Sequence, residues 1–251
     1  MKVLITNDDG IYSKGLKILV ECLPSSIEKI IVVPEFETSA ISHAINLFNP
    51  IRIKKIDLFY SNCYIVNGTP VDCVKIGVKE ILKNRPDVII SGVNLGPNLG
   101  MDILYSGTVA AAAEGAILGI PSIAISITDY KNFDFLSIKK VLKKIIKSLI
   151  KIKLPEDTIF NINIPNLPLE TIKGIKFTFQ SKSRFIEEYE KRIDPKGVPY
   201  FWLKGNFKIK GEKGSDVDAI KSGFISITPL NLILTDDKFL KELKKLYKNF
   251  T

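Results

Sequence analysis

Histidine and cysteine are scarce in this chain, which has 251 residues with one His and three Cys. The single histidine, His43, excludes metal centres built from several imidazoles, and we favour a hydrogen-bonded role supporting its loop over direct catalysis. Cys22, Cys63 and Cys73 are odd in number and lack the short paired spacings of zinc sites and disulfide frameworks. We therefore expect each cysteine to be a small buried apolar residue.

Long apolar runs are also missing from the sequence. The longest candidate, residues 109–127, is interrupted by Glu114 and Pro121, so no membrane span is predicted. The N-terminus enters a strand at once and lacks a signal-peptide layout, which predicts a cytoplasmic protein. Glutamine occurs once, whereas lysine and isoleucine are abundant, a composition that indicates a thermophile.

The net charge of the chain is +9, because 36 basic residues outnumber 27 acidic ones. Pairs of lysines fall on predicted helical faces, so we expect a solvated basic surface that also attracts anionic substrates. No nucleic-acid recognition motif accompanies this charge, and we therefore do not expect a nucleic acid as partner.

The first fifteen residues contain an acidic loop. A short apolar run, residues 3–5, predicts a strand buried on both faces. It is followed by Asn7-Asp8-Asp9-Gly10 and then by leucines at helical spacing, so the order is strand, acidic loop, helix. Adjacent carboxylates repel each other, and a hard divalent cation such as Mg²⁺ or Mn²⁺ relieves that repulsion. The alternative is a solvated turn in which one Asp caps the helix.

Strand and helix patterns alternate along most of the chain. Buried strands are predicted near residues 30–33, 88–90, 123–127 and 160–165, with an edge hairpin at 51–65. This alternation predicts an α/β fold with a doubly wound, mostly parallel sheet. We predict one domain over residues 1–251, with a core over about 1–175 and a hairpin and C-terminal extension over about 176–251.

Beyond residue 173 the pattern changes to extended segments around the turn Asp194-Pro195-Lys196-Gly197. We expect a protruding hairpin, on which Tyr200 and Trp202 are interface anchors in preference to local contacts. A final helix carries an apolar stripe made of Phe239, Leu243, Leu246 and Phe250. Contact with its own domain and contact with a partner subunit explain that stripe equally well.

Four oxygen-bearing side chains are predicted to meet at the carboxyl edge of the sheet. Asp8 and Asp9 follow the first strand, Ser39 lies in the long loop after the second, and Asn94 ends a third. Together they form an all-oxygen set for a hard cation. The helix start at Ser106-Gly107-Thr108 opens on the same edge and offers N–H groups to a phosphate. This convergence predicts metal-assisted chemistry on a phosphate ester.

Several longer motifs run in order through nearly the whole chain, at residues 4–10, 68–74, 91–100, 104–109, 194–197 and 215–219. These motifs resemble the survival protein SurE family. The resemblance implies a Rossmann-like core of three αβα layers. It also implies a homodimer with exchanged C-terminal segments, and often a homotetramer built through the hairpin.

The resemblance further implies a divalent-metal-dependent phosphatase acting on nucleoside 5′- and 3′-monophosphates, and sometimes on short polyphosphate. One metal ion per subunit, Mg²⁺ or Mn²⁺, would map onto Asp8, Asp9, Ser39 and Asn94. Phosphate contacts would map onto Asn98, Ser106, Gly107 and Thr108. The chain departs from the family before Ser39, where Phe36 and Thr38 stand in place of frequent arginines and change the charge at the site entrance.

For the mechanism, we expect one aspartate to accept a proton from the attacking water while the other binds the metal. The competing route is attack by a carboxylate to give an aspartyl-phosphate. Adjacent aspartates disfavour that route, because the haloacid-dehalogenase arrangement places them two apart. The alternative function is a non-catalytic nucleotide-binding or regulatory module, which would use the glycine-rich loops without needing the acidic pair or a metal.

Overall fold

The computed structural model describes residues 1–57, 60–129, 135–150, 152–208 and 211–246. Its strands are β1 (Lys2–Thr6), β2 (Glu28–Pro34), β3 (Ile53–Ile56), β4 (Cys63–Val66), β5 (Val88–Leu95), β6 (Ser122–Ile127), β7 (Thr158–Ile164), β8 (Ile175–Phe177), β9 (Arg184–Ile193), β10 (Pro199–Lys208) and β11 (Ile225–Asn231). Its α-helices are α1 (Lys14–Cys22), α2 (Pro70–Ile76), α3 (Gly107–Ile117), α4 (Phe135–Leu149), α5 (Asp216–Lys221) and α6 (Asp237–Leu246).

Nine strands form one sheet in the order β3-β4-β2-β1-β5-β6-β7-β11-β8. Its neighbours pair in parallel except β3 with β4 and β7 with β11, which are antiparallel. Helices α1 and α4 cover one face, and α2 and α3 cover the other. The predicted doubly wound, mostly parallel α/β fold is confirmed, and so is the edge hairpin. Within the described residues, no helix has both the length and the apolarity to cross a membrane.

Burial on both faces of the central strands explains why their sequences are continuous apolar runs. Along β1, Val3 and Ile5 belong to the core under α1 and α4, whereas Leu4 faces α2 and α3. Since β1 pairs with both β2 and β5, the loops that follow these three strands emerge side by side. The three cysteines are free and buried, as expected.

Strand β11 extends the sheet where we predicted no strand. It pairs antiparallel with β7, with Ser226 opposite Asn163, and β8 then adds to its other side. Only its first four residues are buried, and Pro229 interrupts the run. The sequence of β11 did not indicate a strand, because it contains a proline and its second half is largely exposed. It therefore lacks the continuous apolar run that marks the neighbouring strands.

The protruding hairpin is confirmed as a separate two-stranded sheet of β9 and β10, each of ten residues. At its turn the Asp194 side chain accepts a hydrogen bond from the Val198 N–H at 2.9 Å, and Gly197 supplies a φ of 82°. Tyr200 and Trp202 meet edge-on, with ring centroids 6.5 Å apart, and both remain exposed. They therefore anchor nothing within the described part of their own chain.

Helix α6 has no buried residue, and Phe239 and Leu246 on its predicted apolar stripe are exposed. Phe250, the last member of that stripe, lies outside the described residues. Contact of this stripe with a partner subunit stays a prediction.

The close approach of α1 to β5 gives a test of this fold. A Cβ added at Gly15 would overlap the backbone carbonyl oxygen of Val93, the residue before Asn94. We expect Gly15→Ala to lower the free energy of unfolding by about 1–3 kcal/mol, because the overlap forces the helix away from the strand. Urea unfolding measures this. Lys14→Ala, on the same turn but exposed, is the control, and equal midpoints for the two variants would contradict the predicted contact.

Candidate active site

The acidic loop after β1 is shaped by Asn7 and Gly10. The Asn7 amide nitrogen donates to the Gly10 carbonyl at 2.8 Å, and its oxygen accepts from the Gly10 N–H at 3.1 Å. Asn7 is fully buried, so these bonds satisfy a polar group that water does not reach. Gly10 has a φ of 83°, in the left-handed region that favours glycine. The loop therefore presents Asp8 and Asp9 at a fixed position beyond the strand.

Asp8 is 5% exposed and joins the acidic loop to the start of α3. The Thr108 hydroxyl donates to its carboxylate at 2.6 Å, and the Thr38 N–H donates to its backbone carbonyl at 2.9 Å. Burial raises the pKa of Asp8, although the hydrogen bonds from Thr108 oppose that shift. Asp8 is thus a fixed carboxylate whose negative charge is less favoured than in water, so a nearby positive charge would stabilise it.

Asp9 lies closer to solvent and has one hydrogen bond, from the Ser13 hydroxyl at 3.3 Å. Burial, followed by the negative charges of Asp8 and Glu37, raises its pKa to about 6, while the Ser13 hydrogen bond works in the opposite direction. Asp8 and Asp9 are adjacent, and the surroundings of each disfavour its negative charge. A cation bound beside them would stabilise both carboxylates.

Ser39 and Asn94 complete the predicted metal set. The Ser39 hydroxyl is exposed and donates to Glu37 at 2.9 Å, and Glu37 raises the pKa of both aspartates. The Asn94 amide nitrogen donates to the Gly96 carbonyl at 2.9 Å, so its oxygen has no hydrogen bond to a described residue. An irregularity in β5 between Ser91 and Asn94 shifts the register against β6.

These oxygen donors fit a hard divalent cation by chemistry, since carboxylate, hydroxyl and amide oxygens are the ligands that Mg²⁺ and Mn²⁺ prefer. The described residues contain no group of three or more His, Cys, Asp or Glu side chains that could hold a metal ion. A cation here would therefore depend on two carboxylates together with neutral oxygens.

The start of α3 contains the predicted phosphate residues Ser106, Gly107 and Thr108. The Ser106 hydroxyl caps the helix by accepting from the Val109 N–H at 3.1 Å, which leaves its own proton available. A Cβ at Gly107 would lie 3.1 Å from the Asp8 carboxylate, so the glycine lets the helix start and Asp8 approach each other closely. Thr108 is fully buried and committed to Asp8. The helix end and the acidic pair thus form one site.

Asn98 is positioned by residues that sequence reasoning missed. The amide nitrogens of Asn161 and Asn163 on β7 both donate to the Asn98 carbonyl at 2.9 Å, and the Asn98 amide nitrogen donates to the Ser126 hydroxyl at 2.7 Å. The sequence does contain a signal for this contact, since Asn161 and Asn163 alternate with apolar residues in a buried strand. Buried side-chain amides require hydrogen-bond partners, so a polar segment had to lie against them. They anchor the loop that carries Asn98, whose contact with a phosphate stays a prediction.

His43 belongs to a second network that sequence reasoning did not assemble. Its Nε2 lies 3.0 Å from Glu114 on α3, and the Lys75 ammonium on α2 donates to the same carboxylate at 2.9 Å. Burial would raise the pKa of Glu114, but the hydrogen bonds from His43 and Lys75 outweigh it and hold that pKa below its usual range. Glu114 therefore ties the loop that carries Ser39 to two helices.

The fold and this geometry define an open α/β protein in which an acidic loop after the first strand contacts the start of helix α3. Comparison with known proteins gives the family. The family model described as "Survival protein SurE" matches residues 3–187, and the chain belongs to that family.

Similar proteins match over nearly their whole length. A protein from Aquifex aeolicus (strain VF5) named 5′-nucleotidase SurE is 45% identical over 246 residues, which are 97% of each chain. One of the same name from Thermoanaerobacter sp. (strain X514) is 45% identical over 238 residues, 94% of each. The crystal structure of the Sure protein from Aquifex aeolicus gives a TM-score of 0.86 at 44% identity, covering 98% of this chain and 99% of that chain. The resemblance seen in the motifs is confirmed.

The raised pKa of Asp9 predicts how the stability of the metal-free protein depends on pH. Its folded pKa of about 6 exceeds its usual 3.8, so the folded state binds the proton more tightly and loses stability as pH rises through this range. We expect Asp9→Asn to raise the free energy of unfolding by about 1–3 kcal/mol near pH 7.5, and by much less near pH 4.

Urea unfolding of EDTA-treated protein at the two pH values measures this difference. Asp57→Asn, at an aspartate whose side chain is 82% exposed, is the matched control and should change neither value. A gain for Asp9→Asn that is the same at both pH values would show that charge repulsion is not its cause.

Proposed function

We propose that this chain is a 5′-nucleotidase that hydrolyses nucleoside 5′-monophosphates to nucleoside and phosphate, with one divalent cation, Mg²⁺ or Mn²⁺, as cofactor. Nucleoside 3′-monophosphates and short polyphosphate are further substrates in this proposal. The observation that carries it is the 2.6 Å hydrogen bond between Thr108 and Asp8, because it joins an anion-binding helix end to the acidic pair. The name 5′-nucleotidase SurE, borne by relatives at 45% identity, supports the choice of substrate.

Asp8, Asp9, Ser39 and Asn94 would hold the cation through oxygen atoms. When bound, it supplies Lewis-acid stabilisation of the charge that develops on the phosphoryl oxygens.

The start of α3 would orient the phosphate. Its positive end and the Gly107 N–H face the position where negative charge develops, and the Ser106 proton is available to donate. Asp9 would accept the proton of the attacking water, because its carboxylate has a single 3.3 Å hydrogen bond and is less buried than that of Asp8. Thr108 would keep Asp8 fixed throughout.

Phosphate release from AMP or GMP tests this proposal. We expect release in the presence of Mn²⁺ or Mg²⁺ and its loss on addition of EDTA. Asp8→Asn should lower kcat by about 10²-fold or more, because it removes one negative charge of the metal set while its amide oxygen can still accept from Thr108. A colorimetric phosphate assay gives kcat, and calorimetric titration with Mn²⁺ gives the metal affinity.

Asp57→Asn serves as the control for these measurements and should behave like the unmodified chain. Full activity of Asp8→Asn would contradict the assignment of the site. Binding of AMP without phosphate release under any metal would favour the non-catalytic nucleotide-binding module instead.

We also propose that the chain assembles with itself, as a homodimer through its C-terminal segment and a homotetramer through the hairpin. Support comes from apolar side chains that the described residues leave exposed. Phe239 and Leu246 lie on α6, and Phe201 and Trp202 lie on β10. Apolar surface of this extent on separate elements is typical of subunit contacts.

Sedimentation equilibrium tests the assembly. We expect a mass of two or four chains for the unmodified protein. Phe239→Asp should lower this mass by disrupting the dimer, because a charged side chain placed in an apolar interface loses its hydration. Trp202→Asp should reduce a tetramer to a dimer. Ile117→Asp, at an exposed apolar residue on α3 far along the chain from both surfaces, is the control and should leave the mass unchanged. A single-chain mass for the unmodified protein would contradict the proposal.

A further inference from the structure

A cavity of about 430 Å³ lies beside the acidic loop, between residues 35–49 and the start of α2. Two of its lining residues connect it to the proposed active site. The N–H of Thr38 donates to the Asp8 carbonyl at 2.9 Å. Thr69 precedes Pro70, whose ring lies 3.3 Å from the point where a Cβ on Gly107 would stand. The cavity therefore adjoins the loop and the helix start that carry the proposed site.

The walls of the cavity suit a neutral, flat ligand. Phe36, which is 73% exposed, lines it together with Ile41 and Ile45. Its one charged lining residue among the described residues is Glu35, a carboxylate. An anion is disfavoured there even though the chain carries a net charge of +9. The phosphate of a substrate would therefore not enter this cavity.

Asn46 adds a polar group held in a fixed place. Its backbone N–H donates to both Asp72 carboxylate oxygens at 3.2 Å, and its side-chain oxygen accepts from the Asn49 N–H at 3.1 Å. These bonds leave the side-chain amide nitrogen of Asn46 without a hydrogen bond to a described residue. Such a group, beside an exposed aromatic ring, is suited to an acceptor on the edge of a heterocycle.

We propose that this cavity binds the nucleobase of the substrate, which stacks on Phe36 and receives a hydrogen bond from the Asn46 amide. The inference rests on the proposed nucleotidase function and names the part of the substrate that the chain recognises besides phosphate. It also gives a role to the exposed aromatic ring of Phe36. An aromatic side chain favours ligands that carry a nucleobase, whereas a positively charged side chain would add affinity for phosphate.

Removal of the ring tests this inference. Phe36→Ala should raise the KM for AMP and GMP by about tenfold with kcat unchanged, because base–aromatic stacking contributes only to binding. The KM for ribose 5-phosphate, which has no base, should stay the same. Phe36→Tyr keeps a stacking surface and should restore the KM for AMP. Phe48→Ala, at a 96% exposed phenylalanine of the same loop that does not line the cavity, is the matched control.

Equal changes for AMP and ribose 5-phosphate, or no change for either, would overturn the proposal. A direct titration of metal-free protein with adenosine decides the matter without catalysis. Saturable binding that Phe36→Ala weakens and Phe48→Ala preserves supports the base site, even if no phosphate ester is hydrolysed and the proposed function fails. Absence of adenosine binding, together with unchanged KM values, refutes the base site while leaving phosphatase activity intact.

Discussion

Two carboxylates held side by side at the end of a buried strand are the constraint on which the rest of the site depends. β1 has no exposed face, so its last residues cannot turn toward water, and Asn7 must satisfy its amide within the loop. Asp8 and Asp9 then repel each other in a place that solvates neither well. The hydrogen bonds that oppose this repulsion come from both near and far in the chain: Ser13 donates to Asp9, and Thr108 donates to Asp8. The Thr108 bond ties the acidic loop to a helix one hundred positions away.

Local patterns were enough to predict most of the sheet, and they suggested which chain positions meet at its carboxyl edge. The capping box of α2, with Thr69 as cap and Asp72 in the first turn, is formed by residues three positions apart. Parallel strand order then brings Asp8, Ser39 and Asn94 to one edge, because consecutive parallel strands end on the same side. Such features follow from residues near one another in sequence or from a general rule of topology.

The features that could not be predicted depend on pairings between distant residues. His43 and Glu114 are 71 positions apart, and nothing in the neighbourhood of either residue indicates the other. The same holds for Asn98 and Asn163, 65 positions apart, and for the antiparallel pairing of β11 with β7. A buried polar residue shows that a partner exists, but the identity of that partner is decided only by the folded chain.

The hairpin of β9 and β10 is joined to the molecule through its base. Gly100 donates its N–H to Asp216 and accepts from the Gln180 amide, and Met101 donates to the Ser183 carbonyl. A two-stranded ribbon without a third strand is marginal by itself in water. The orientation of the ribbon relative to the sheet is therefore set by the few hydrogen bonds around Gly100, so a change in that short segment would redirect the whole arm.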